Sequence, residues 1–139
     1  MKKIILVVSV LFIASTSAFA ANGTIIVKYT PEAKQNLIHM GLLAPQNFQG
    51  NLLILDKSTD LDVTLLLDEE NAPAQTCFSG NPGDAGSVLD RVIENADGNG
   101  DYWVSKVRIT VTKNLVRGSF TLTGEGGPER HTVSVPACK

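Results

Sequence analysis

Apolar and polar side chains alternate through three stretches in the last third of the chain: Tyr102 to Thr112, Leu115 to Thr123 and Glu129 to Val135. Alternation with a period of two sends successive side chains to opposite sides of a strand, so it predicts three strands with one covered and one wet side. Lys113-Asn114 and Gly124-Glu125-Gly126-Gly127-Pro128 separate them with turn-forming residues, which makes the segment an antiparallel meander. Strict alternation points Val107, Ile109, Val111, Val116, Phe120, Leu122, Val133 and Val135 inward. It points Lys106, Arg108, Thr110, Arg117, Thr121, Thr132 and Ser134 outward. Trp103 then has core parity, and Tyr102 joins Lys106 and Arg108 as the exposed recognition set.

The same rule predicts a strand at Ile25 to Thr30, with Ile25, Val27 and Tyr29 on one side. Thr30-Pro31 reads as a helix cap and first-turn proline, followed by Ala33, Leu37, Ile38 and Met40 along a short helix that Gly41 ends. Residues 41–50 have no sustained period and read as a loop. Asn51 to Asp56 and Leu61 to Asp68 are expected to form a hairpin across Lys57-Ser58-Thr59-Asp60, and Thr76 to Phe78 a brief strand. Val88, Leu89, Val92, Ile93 and Ala96 recur at helical spacing, predicting a helix near residues 84–96 with Asp84 as its cap. Strands dominate without regular helical crossovers. The expected fold is therefore α+β: a mainly antiparallel sheet of about six strands, covered by that helix, with a β-sandwich as the alternative.

Ahead of these elements, Lys2 and Lys3, the apolar run Ile4 to Ile13 and the small-x-small end Ala18-Phe19-Ala20 have the three parts of a cleavable bacterial-type export signal. The expectation is cleavage between Ala20 and Ala21 and one domain over residues 21–139, periplasmic or secreted, with no membrane insertion after the signal is removed. In an oxidising compartment Cys77 and Cys138, the only cysteines, are expected to form a disulfide. The chain holds 12 basic and 14 acidic residues, and loss of Lys2 and Lys3 makes it more acidic still. No basic run survives, which argues against nucleic acid as a partner.

Candidate chemistry is sparse. Asp97, Asn99 and Asp101 place oxygen-bearing side chains at alternate positions, as the start of a calcium loop does. Tyr102 and Arg108 then stand where that loop needs glycine and a bidentate glutamate. Gly80-Asn81-Pro82-Gly83-Asp84-Ala85-Gly86 opens a helix but lacks the Lys-Ser or Lys-Thr pair of a phosphate loop, and the Asp84 carboxylate would occupy its amides. His39 and His131 lie in no nucleophile or metal motif, and the clustered Asp62, Asp68, Glu69 and Glu70 read as a solvated strand exit. No catalytic, cofactor or metal residue is assigned.

By exclusion, the expected function is that of a small exported non-catalytic protein. It would bind a protein or other macromolecule of the bacterial envelope or outside the cell, as an adaptor or inhibitor does. The alternatives are a structural subunit of a surface fibre and a small carboxylate- or histidine-dependent hydrolase. The hydrolase requires His131 or an acid pair to line one pocket.

Overall fold

A computed structural model describes residues 23–139. The expected signal segment and its cleavage point between Ala20 and Ala21 lie outside the described residues. The architecture is α+β, with seven strands in two antiparallel sheets and three helices, rather than one sheet of about six strands.

The first sheet has the order β2-β3-β1-β4, formed by β1 (Thr24–Lys28), β2 (Phe48–Gln49), β3 (Leu52–Leu55) and β4 (Gln75–Ser79). Ile25 and Val27 of β1, Leu53 and Leu55 of β3 and Phe78 of β4 come into register on its covered side and are buried. Helix α1 (Pro31–His39) follows β1, capped by Thr30 Oγ1, which accepts from Ala33 N at 3.1 Å. Its Ala33 and Leu37 are buried, whereas Met40, just past its end, is exposed. The segment 41–50 is more ordered than a loop: a 3-10 turn at Pro45–Asn47 delivers Phe48 to pair with Leu53.

Leu61 to Asp68 does not form the second arm of a hairpin. Strand β3 is paired along its length with β1, and β2 takes the other edge at Leu52 and Leu53, where a hairpin arm would have to pair. The Asp62 carboxylate instead accepts from Thr64 N at 2.8 Å and from Thr64 Oγ1, turning the chain into a short helix, α2 (Thr64–Leu67). Val63 N donates to Val92 O at 3.0 Å, and the Val63 side chain is fully buried.

The longest helix, α3 (Pro82–Glu94), begins one turn earlier than Asp84 would set it. Asn81 is the cap, its Oδ1 accepting from Gly83 N at 2.8 Å and Asp84 N at 3.2 Å, with Pro82 in the first turn. Asp84 sits inside that turn and pairs with Lys57 Nζ at 3.4 Å. Ala85, Val88, Leu89, Val92 and Ile93 form its buried stripe.

The second sheet is the meander β5-β6-β7, formed by β5 (Trp103–Val111), β6 (Leu115–Gly124) and β7 (Gly127–Pro136). Helix α3 packs tightly on the meander at two glycines: a Cβ at Gly118 of β6 would stand 2.7 Å from Ile93 Cδ1 and 3.0 Å from Leu89 Cδ2, and one at Gly86 of α3 2.7 Å from Val111 Cγ2. Beyond β7 the chain crosses to the first sheet. Ala137 bridges Phe78 in parallel, Cys138 N donates to Phe78 O at 2.8 Å, and Cys138 is disulfide-bonded to Cys77 across a Cα–Cα distance of 4.9 Å. The two sheets are thus fastened together at β4. No helix among the described residues is long and apolar enough to cross a membrane.

Candidate functional site

The outward side of the meander is set by one irregularity. Ser105 pairs with Thr121 and Arg108 with Ser119, so Lys106 and Val107 together stand opposite Phe120 in a β-bulge. Lys106 adopts φ 54, the only positive φ at a non-glycine position among the described residues. A bulge reverses parity along its strand: Val104 faces inward before it, and Val107, Ile109 and Val111 face inward after it. Trp103 therefore points outward and is 64 % exposed, against the core position that unbroken alternation assigns it. Tyr102, just ahead of β5, remains 43 % exposed as expected, with its ring lying over Gly124, where a Cβ would stand 2.8 Å from it.

The register across the three strands then defines the outward side row by row. Trp103, Thr123 and Pro128 form the first row, and Ser105, Thr121 and Arg130 the second. Arg108, Ser119 and Thr132 form the third, and Thr110, Arg117 and Ser134 the fourth. With rows about 7 Å apart and strands about 4.8 Å apart, this is a patch on the order of 20 Å by 10 Å. Of its twelve positions seven carry hydroxyl groups, three are arginines and none is acidic. Arg130 lies across the sheet and donates to Lys106 O at 3.1 Å, Thr121 Oγ1 at 3.3 Å and Ser119 Oγ at 3.0 Å. It thereby holds the carbonyl that the bulge releases from the ladder. The ion pairs among the described residues join Lys57 to Asp84 and Arg91 to Asp60, so Arg108, Arg117 and Arg130 have no acidic partner. No segment of the sequence shows this cluster, because its arginines come from three different strands.

A second feature lies at the end of the meander's inner side that α3 leaves uncovered. A cleft of about 890 Å³ is lined by Asp68, Glu69, Asp101, Tyr102, Glu129 and His131 among others. His131 shares the inner side with Val133 and Val135 and packs on Phe120, with ring centroids 5.7 Å apart. It forms neither a hydrogen bond nor an ion pair with those carboxylates. Asp68 is engaged by its own turn, accepting from Glu70 N at 2.9 Å and Asn71 N at 3.2 Å. Its charge adds to burial in pushing the Tyr29 phenol up to about 12, burial being the larger cause.

The four clustered acids of the sequence separate in space. Asp68 and Glu69 reach the cleft, Asp62 holds the turn into α2, and Glu70 lines a shallow recess beside His39. The calcium candidates separate as well. Asp97 Oδ1 accepts from Val104 N at 2.9 Å at the start of β5, Asn99 Nδ2 donates to Asp62 Oδ2, and Asp101 lines the cleft. Among the described residues no three His, Cys, Asp or Glu side chains converge as a metal ligand set. The amides that open α3 are taken by Asn81.

No known protein family, no curated protein and no solved structure matches the chain.

Proposed function

We propose that this is an exported, non-catalytic binding protein whose outward meander side engages another macromolecule in the bacterial envelope or outside the cell. One observation supports this reading above the rest: an exposed tryptophan shares a twelve-position side with three arginines that lack acidic partners. An exposed guanidinium with no acidic neighbour keeps its donors free for a partner, and arginine and aromatic residues both concentrate at recognition surfaces. The disulfide fits an oxidising compartment. The test is retention of material from envelope and secreted fractions on immobilised protein. Saturable retention by wild type, lost in Arg108→Glu/Arg117→Glu and kept in His131→Ala, supports the reading. Retention that is indifferent to the arginines overturns it.

A second reading, hydrolysis in the cleft, draws support from Asp68, Glu69, Asp101, Glu129 and His131 lining one opening. Against it stands the lack of contact between His131 and any carboxylate, since a general base needs an orienting partner within hydrogen-bond reach. Turnover of chromogenic glycosides or esters that falls in both His131→Ala and Asp68→Asn would favour this reading over binding.

A further inference from the structure

Resting on the binding reading above, we infer that the partner of the outward meander side is an acidic polysaccharide, a polymer of sugar rings carrying carboxylate or sulfate groups. The chemistry of the twelve positions selects this class. A typical protein-binding core is enriched in aromatic residues, methionine and arginine and depleted in serine; this side has the arginines but only one aromatic, and seven of its twelve positions are serine or threonine. Hydroxyl groups donate and accept in any direction, which suits a polyhydroxylated partner. Those hydroxyls serve neutral and acidic glycans alike, so the arginines of this side decide between the two. Its arginines are donors only, and a planar guanidinium binds carboxylate or sulfate through two parallel hydrogen bonds.

Geometry adds length to the ligand. Trp103 supplies one broad, rigid apolar ring on which the C–H side of a sugar can lie. Arg108 stands two rows further along the same strand, about 14 Å away by strand spacing, a span suited to a chain of sugars rather than to one ring. Arg117 is the diagonal neighbour of Arg108, about 7–8 Å from it, and the two form an anion-binding pair. Single-stranded nucleic acid is the competing polyanion, but it is held by several aromatic platforms in series, and this side has one.

Trp103 is the only tryptophan in the chain, so its fluorescence reads binding at the patch directly. The experiment titrates the exported protein with polygalacturonate, dextran sulfate, unsubstituted dextran and a single-stranded oligonucleotide, and repeats each titration by calorimetry. The expected result is a saturable fluorescence change with polygalacturonate and dextran sulfate and none with dextran. Arg108→Gln/Arg117→Gln should weaken binding by about tenfold or more, and Trp103→Ala by about five- to tenfold. Arg108 and Arg117 are exposed and make no hydrogen bond through their side chains among the described residues, so their loss leaves the fold intact; Arg130, which braces the bulge, is left in place. Binding to dextran as tight as to dextran sulfate, acidic polymers bound equally by the double variant, or an oligonucleotide bound more tightly than polygalacturonate would each overturn the assignment. If no polysaccharide binds but retention from envelope fractions still needs Arg108 and Arg117, the glycan assignment falls and the binding reading stands. If neither is seen, both fall.

Discussion

Removing the Cys77–Cys138 bridge should cost about 4 kcal/mol without changing the native architecture. The cysteines are 61 residues apart, and in a chain-entropy treatment closing a loop of that size withdraws about 4 kcal/mol of freedom from the unfolded ensemble. The folded state has other ties at the same place: the parallel bridge of Ala137 to Phe78 and the bond from Cys138 N to Phe78 O. The loss is therefore expected to come from the unfolded side. Because Cys77 is buried, the suitable variant is Cys77→Ala/Cys138→Ala, which avoids placing an unpaired hydroxyl in the core. With a urea dependence of about 1–2 kcal/mol per molar, the unfolding midpoint should fall by about 2–4 M. A domain of this size has about 5–15 kcal/mol in total, so the variant folds but with a narrow margin. Far-ultraviolet circular dichroism is the right probe, since Trp103 is already exposed in the native state and reports weakly on unfolding. Midpoints within about 0.5 M of each other would refute the reasoning, because the urea dependence leaves no room for a 4 kcal/mol effect inside that interval.

Three further perturbations test other parts of the structure. Gly118→Ala places a Cβ against Ile93, Leu89 and Ile109 side chains at 2.7, 3.0 and 3.2 Å; it should destabilise by about 1–3 kcal/mol, read as a lower Tm. Asn81→Ala removes the true cap of α3 and should cost about 1 kcal/mol, whereas Asp84→Ala, which loses only a first-turn charge and an exposed ion pair, should cost less than half of that in the same denaturation assay. Tyr29 gives an alkaline dependence. Its phenol has a folded value of about 12 against 10.0, so the folded state holds its proton more tightly. The corresponding stability is complete below pH 10, falls as pH rises from 10 toward 12, and amounts to about 3 kcal/mol at most; Tyr29→Phe should flatten that decline, and an unchanged profile would count against burial as its cause.

Local pattern determined a good deal of this protein. Alternation located β1 and the three meander strands, Thr30-Pro31 marked the start of α1, and the helical spacing of Val88, Leu89, Val92 and Ile93 marked the buried stripe of α3. The two cysteines of an expected exported chain pointed to the bond that joins them. The Asn81-Pro82 pair was a legible cap signal one turn ahead of Asp84. Tertiary structure decided the rest, for physical reasons that no single segment contains. Leu61 to Asp68 alternates like a strand, but β1 and part of β2 already pair with β3, and the Asp62 carboxylate turns the chain into a short helix instead. Alternation divides a strand into two sets without saying where its phase slips. The bulge at Lys106 slips it, sending Trp103 to solvent. The candidate site follows from that slip and from register: Arg108, Arg117 and Arg130 are distant and unremarkable in the chain, and only the pairing of three strands brings them beside Trp103 on one surface.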